Sequence, residues 1–230
     1  MATGLFWTDY GKRCLSELAG TYALVVAGPS SIILLSMLSL SSTPEANLLV
    51  ALTFGASVSV IIVILGEHSG AVINPALTLA AAAARLLQGK LVIPYILFQA
   101  AGGLLAGLTL RFVFGSLGDA TSLGSTKLAG SVGALMGIAL EALGTFVLAL
   151  SALAATAWIG QSRFQGVVVG GTLVILILFI GPLTGAGFNP ARSVGPALAS
   201  GYFSNLYVYL VGPFVGGLLA GLLFRQLRAT

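Results

Sequence analysis

Two stretches, SGAVINPALTLA at 69–80 and TGAGFNPARSVG at 184–195, decide how this chain is read. In each, an Asn-Pro pair separates a Gly-containing segment from a short apolar run. Asn is a good N-cap and Pro is favoured at the first helical position, so a helix is predicted to start at Pro75 and another at Pro190. The runs that follow, about 75–84 and 190–199, are too short to cross a bilayer, which takes about 20 residues. They are predicted as half-helices that enter the membrane without crossing it.

The rest of the chain supplies that membrane context. Of 230 residues, 57% are hydrophobic and only 7% charged, against about 25% charged in an ordinary soluble domain, and the mean hydropathy is +1.06. A water-soluble enzyme is excluded. Apolar windows fall at 14–38, 47–65, 92–114, 131–156, 165–182 and 205–226, which makes six spans. The expectation is an all-α membrane protein of six transmembrane helices plus two re-entrant half-helices, one domain over 1–230. The first run carries no small-residue cleavage site of a secretory signal, so insertion by the first span is expected. The ten Lys and Arg are scattered and give a net charge of +4 without a basic stripe, so no nucleic-acid partner is implied. The single cysteine, Cys14, excludes an intramolecular disulfide and is placed at a membrane edge, away from any pore. No cofactor or metal is called for.

The two quoted stretches belong to a longer repeat. ELAGTYALVV from Glu17 is echoed by EALGTFVLAL from Glu141, and GGLLAGL from Gly102 by the same letters from Gly216. Repeat one covers 14–114 and repeat two 131–226, each with three spans. An odd number of crossings makes the second copy enter from the opposite face, so the repeats are inverted. With the N-terminus in the cytoplasm, Lys12, Arg13, Arg85, Lys90, Arg163, Arg225 and Arg228 lie inside against Arg111, Lys127 and Arg192 outside, as the positive-inside rule requires. Gly103 with Gly107, Gly212 with Gly216 and Gly217 with Gly221 have the spacing of close helix contacts, within one chain or between chains.

Half-helices from opposite faces would meet near the midplane with both positive dipole ends pointing inward. Non-helical backbone at that depth is tolerable only where it is buried in protein or lines a watery cavity. The segments leading in, 67–73 and 183–188, are therefore candidate lining. Gly70, Gly185 and Gly187 are expected to let them extend, so that carbonyls face a file of water while Asn74 and Asn189 donate at its centre. Cations would be refused by desolvation and by the repulsion of two helix N-termini and Arg192. Protons would be refused because a central water accepting from both amides cannot relay them. Glu17 and Glu141 are ionisable groups inside apolar spans, which cost about 2.5–3.5 kcal/mol each on insertion scales. They are expected to hold the loop N–H groups, Glu17 having a helix-end position as its alternative. Arg192 is read as the donor at the narrowest point, with a charge snorkelling to the headgroups as the plainer reading.

Paired Asn-Pro-Ala boxes, Asn74-Pro75-Ala76 and Asn189-Pro190-Ala191, with Arg192 after the second and Glu17 and Glu141 in matching spans, resemble the aquaporin, or major intrinsic protein, family. The resemblance covers nearly the whole chain and implies passive conduction through each subunit of a homotetramer. By distance from the asparagines it puts the family's outer constriction on Phe54, Ile177, Ala186 and Arg192. There the chain departs from strict water channels, which have His at the position of Ile177 and commonly Cys or Thr at that of Ala186. GPLTG at 181–185 is similar to glycerol facilitators, but Ser193 stands where those usually have Asp. Val72 replaces the family's frequent histidine, and Glu67–His68 comes earlier, a surface pair or an element at the cytoplasmic mouth. Tyr209-Leu210, QAAGGLLAGLTLR at 99–111 and NPARSVGPAL at 189–198 are most similar to plant nodulin-like intrinsic proteins and their prokaryotic relatives. That implies a water channel in a plasma membrane with cytoplasmic termini, with glycerol or an uncharged metalloid acid (boric, arsenous, silicic) as the alternative solute. A nonconducting scaffold or a proton-coupled transporter could be built from the same helices. A coupled cycle, however, needs an intramembrane carboxylate free to exchange protons.

Overall fold

A computed structural model describes the backbone of residues 2–41, 43–160 and 163–229, and the side chains of residues 9–41, 43–160 and 164–228. The side chain of Arg163, counted above among the inner charges, lies outside the described residues. The helices in chain order are α1 (Ala2–Met37), α2 (Pro44–Ser69), α3 (Pro75–Ala83), α4 (Gly89–Phe114), α5 (Ala134–Ala154), α6 (Arg163–Thr184), α7 (Pro190–Ser200) and α8 (Val208–Ala229). A 3-10 turn at Gly115–Thr121 follows α4, and a π turn at Ala155–Ile159 continues α5. The described residues contain no strand.

Six helices, all but α3 and α7, are long and apolar enough to cross a membrane. Their outer faces carry large apolar side chains such as Phe112 and Leu135, 89% and 82% exposed, which suits lipid as the solvent. The chain is a multi-pass membrane protein. Pro75 and Pro190 open α3 and α7 at the predicted residues, because Asn74 Oδ1 accepts from the N–H groups of Ala76 and Leu77 (2.9 and 3.4 Å) and Asn189 Oδ1 from those of Ala191 and Arg192 (3.0 and 3.3 Å). Each amide oxygen thus satisfies two donors that a helix start leaves without a partner.

The two halves pack alike. α1 lies on α2 and α4 as α5 lies on α6 and α8, while α2 packs against α6 across the line between them. The half-helices are exchanged, α3 resting mainly on α8 and α7 mainly on α4. Glycines make the exchange possible. A Cβ on Gly103 or Gly107 of α4 would collide with the carbonyl of Ala191 or Gly195 in α7, and one on Gly217 or Gly221 of α8 with the carbonyl of Ala76 or Ala80 in α3. Gly102 meets the carbonyl of Leu18 and Gly216 that of Ala142, so the spaced glycines serve contacts within one chain. Where α2 crosses α6, Gly55 and Gly170 leave no room for a side chain, and Ser59 Oγ donates to the Gly166 carbonyl at 2.9 Å.

Candidate functional site

The segments before the two half-helices have one backbone design. Gly70 and Gly185 leave the preceding helix in the left-handed region (φ 90° and 78°), and Ala71, Ile73, Ala186 and Phe188 also lie there (φ 46°, 44°, 46° and 48°). Gly187, unlike Gly70 and Gly185, is not among the left-handed residues. It is required for space: a Cβ there would stand 2.7 Å from the Tyr209 ring, 2.9 Å from Ser193 Oγ and 3.0 Å from Glu141 Oε2. Residues with side chains at positive φ cost about 1–3 kcal/mol each, so the surroundings must hold them.

The holding groups are carboxylates. Glu17 is fully buried and accepts from Ser69 Oγ (2.6 Å), the N–H groups of Val72 (3.0 Å) and Ile73 (2.6 Å), and Gln99 Nε2 (2.7 Å). Glu141, also fully buried, accepts from Thr184 Oγ1 (2.6 Å) and the N–H groups of Gly187 (2.9 Å) and Phe188 (2.7 Å). With left-handed residues at 71 and 73, and at 186 and 188, two successive N–H groups converge on each carboxylate, a nest that an anion fills. Neither glutamate is at a frayed helix end. Tyr95 and Tyr209 tie down the start of each segment, their hydroxyls donating to the carbonyls of Ser69 (2.8 Å) and Thr184 (2.6 Å).

With the N–H groups turned toward the glutamates, the carbonyls turn away from them. Those of residues 70–72 and 185–187 accept no hydrogen bond from the described residues. The next carbonyl in each loop is used across the molecule. Asn74 Nδ2 donates to Phe188 O at 2.9 Å, and Asn189 Nδ2 to Ile73 O at 2.8 Å. The asparagines are therefore locked back to back at the tips of α3 and α7, each with a second amide N–H left over.

Both line one cavity of about 290 Å³. Arg13, Glu67 and His68 stand in its wall toward one end, and Phe54, Ile177, Ala186 and Arg192 toward the other. Opposite the loops the wall is apolar, with Val58, Ile62, Leu148, Val169 and Leu173 among its residues. All four residues of the expected constriction are buried. Arg192, only 2% exposed, is no headgroup charge, which removes it from the outer side of the charge count. Its Nη1 donates to the Gly124 carbonyl at 3.0 Å, and its guanidinium carbon lies 5.1 Å from the centroid of the Phe54 ring, within reach of a cation–π attraction. Its Nε is sealed without a partner among the described residues, whereas Nη2 is neither bonded to them nor sealed. Cys14 is buried against Leu91 and Tyr95 and is absent from the cavity wall.

Several supporting residues escaped the sequence reading. Gly124 can carry no side chain, having φ 68° and Pro29 Cβ at 2.8 Å from a Cβ built there; it lies in a loop remote in sequence from Arg192. Gln99 was visible as a lone amide in an apolar span, and its neighbour Thr78 accepts from its Nε2 (2.9 Å) while donating its own proton to Asn74 O (3.0 Å).

Residues 7–224 match the family model described as Major intrinsic protein. The chain belongs to that family. Among relatives, the aquaporin NIP3-1 of Arabidopsis thaliana is 33% identical over 235 residues, spanning 100% of this chain and 72% of that protein. The aquaporin NIP1-1 of Zea mays is 35% identical over 225 residues, 95% of this chain and 76% of that one. In fold, the chain is similar to the aquaglyceroporin of Plasmodium falciparum, with a TM-score of 0.81, 20% identity, and coverage of 95% of this chain and 97% of that chain. As a member of the family it is a channel for water and small solutes, and its nodulin-like character agrees with the relatives just named.

Proposed function

We propose that the chain is a passive water channel that also admits small neutral solutes and excludes ions and protons. Its whole length, 1–230, acts as one channel domain built from repeats 14–114 and 131–226. The observation that carries this reading is the pair of locked asparagines: Asn74 and Asn189 each spend one N–H on the opposite loop and keep one for the cavity. A permeant at that point accepts from both, beside two converging helix N-termini, Pro75-Ala76 and Pro190-Ala191. A cation there would lose its hydration and meet only donors and positive dipole ends. The free carbonyls of 70–72 and 185–187 offer acceptors on either side of the centre, and the apolar wall keeps the file from being held tightly.

Phe54, Ile177, Ala186 and Arg192 form the selective ring, with Arg192 Nη2 as its donor. Ile177 and Ala186 add no side-chain hydrogen-bonding group opposite the arginine. That favours, as the second reading, a facilitator of glycerol or an uncharged metalloid acid. Glu17 and Glu141 are supports, both committed to loop donors, which leaves neither of them free for a proton-coupled cycle. The assembly is a homotetramer in the plasma membrane of a prokaryote, with both termini cytoplasmic. Stopped-flow light scattering on proteoliposomes tests the reading: osmotic shrinkage should be faster than bare lipid, with a lower activation energy. Shrinkage no faster than lipid would leave a scaffold. Ile177→His should then reduce glycerol and boric acid flux while water flux persists.

A further inference from the structure

One face of α6 runs along the cavity: Ile177, Leu173, Val169 and Gln165 are spaced four residues apart and all line it. At 1.5 Å per residue, Gln165 lies about 18 Å along the helix from the constriction. It is the single polar side chain of that stripe. Gln165 is 4% exposed, and its one hydrogen bond with the described residues is from Nε2 to Thr156 Oγ1 at 3.0 Å. Its Oε1 therefore has no partner among the described residues, yet it is not among the polar atoms sealed without one. In a residue buried this deeply and lining the cavity, an unsealed oxygen faces the cavity. Thr156 belongs to the π turn Ala155–Ile159, also lines the cavity, and donates its own proton to the Ala152 carbonyl at 2.8 Å. Its lone pair is thereby left to accept from Gln165. Single π turns inside α-helices are frequent at functional sites.

We propose that Gln165, steadied by Thr156, is a hydrogen-bonding station for hydroxylated neutral solutes at the end of the cavity opposite Arg192. The proposal rests on the channel reading above. Between the mouth, where Arg13, Glu67, His68 and Gln88 stand in the wall, and the asparagines, the loop itself presents acceptors, the carbonyls of residues 70–72. A hydroxyl group donating to one of them still has lone pairs to satisfy, and its neighbour hydroxyl needs an acceptor on the other side. The Gln165 amide supplies both kinds of group, Oε1 and the second Nε2 hydrogen, from a helix face whose other lining residues, Val169, Leu173 and Ile177, are apolar. Water needs it less, because waters in file satisfy one another.

The test uses the full chain in phosphatidylethanolamine/phosphatidylglycerol vesicles, with water, glycerol and boric acid fluxes measured on the same preparation and normalised to protein in the membrane. Gln165→Leu should lower the glycerol-to-water flux ratio about three- to tenfold, the worth of one neutral hydrogen bond, with water flux held within about twofold. Thr156→Val should act in the same direction but less, and Thr156→Ser should restore the ratio. If Gln165→Leu does not insert, the Thr156 pair decides the same question. An unchanged ratio, water and glycerol falling together, or a wild-type chain that passes water but neither hydroxylated solute would overturn the station and leave the water channel standing. A wild-type chain with no osmotic conduction would overturn both.

Discussion

The loops at 69–74 and 184–189 have the same backbone around unequal supports. Tyrosine, glutamate, left-handed residues and asparagine correspond one to one, as Tyr95 with Tyr209, Glu17 with Glu141, and Ile73 with Phe188. Behind the first loop, Gln99 and Thr78 extend the network, so that Glu17 receives four hydrogen bonds. Behind the second, Pro213 stands where Gln99 would be by the shared GGLLAGL register, and Ser193 stands where Thr78 would be. Glu141 receives three bonds, and Ser193 Oγ is buried with no partner among the described residues. The same chain path can therefore be held by different numbers of polar contacts: Glu141 is the less fully satisfied carboxylate, while Thr145 Oγ1 adds a bond to Phe188 O (3.4 Å) that the first loop lacks.

The largest test of that inequality removes the carboxylates. Each buried donor left without a partner costs about 1–3 kcal/mol, so Glu17→Ala and Glu141→Ala should both abolish osmotic conduction and lower the melting temperature in detergent. Glu17→Ala should lower it further, since it strands one more donor; the reverse order would break the ranking. Next come Gly103→Leu and Gly217→Leu, which drive a side chain into the carbonyls of Ala191 and Ala76. Overpacking of this kind costs about 1–3 kcal/mol. The two variants should lose stability and water flux about equally, because the half-helices are exchanged symmetrically; a clear difference would show that one glycine contact matters more.

Smaller effects separate the two networks. Gln99→Leu should destabilise by about 1–2 kcal/mol through loss of its bonds to Glu17 and Thr78, readable as a shift in thermal unfolding, and repeat two has no equivalent amide to lose. Smallest is a difference in sign. Thr78→Ala removes a bonded hydroxyl and should cost about 1 kcal/mol, whereas Ser193→Ala removes an unsatisfied one and should be neutral or slightly stabilising. A loss of stability in Ser193→Ala would mean that its hydroxyl is bonded after all.

Much of this architecture was legible because apolar length, capping and parity act locally or along the chain. The windows at 47–65 and 92–114 became α2 and α4 with ends extended by a few residues, and the Asn-Pro signals placed the starts of α3 and α7 at the residue. Supports that join distant segments were not legible. Nothing near Gly124 in sequence announces that its carbonyl holds Arg192, and Gln165 and Thr156 look like ordinary polar residues near a helix end. Nor was the reason for Gly187 legible, since nothing in the sequence says that a side chain there would meet Tyr209, Ser193 and Glu141.

By itself, then, the sequence determined that the chain lives in lipid, crosses it six times, and carries two inverted copies of one unit with an asparagine-capped stub in each. These follow from hydrophobic length, helix-start chemistry and an odd number of crossings. Only the tertiary structure decided that each stub rests on the other half's last helix, that Ala71, Ile73, Ala186 and Phe188 adopt left-handed backbone, and that one supporting carboxylate receives more hydrogen bonds than the other. Those outcomes depend on which carbonyl, carboxylate and amide meet across more than a hundred residues of chain, and hydrogen-bond partnership at that range leaves no periodicity in the sequence.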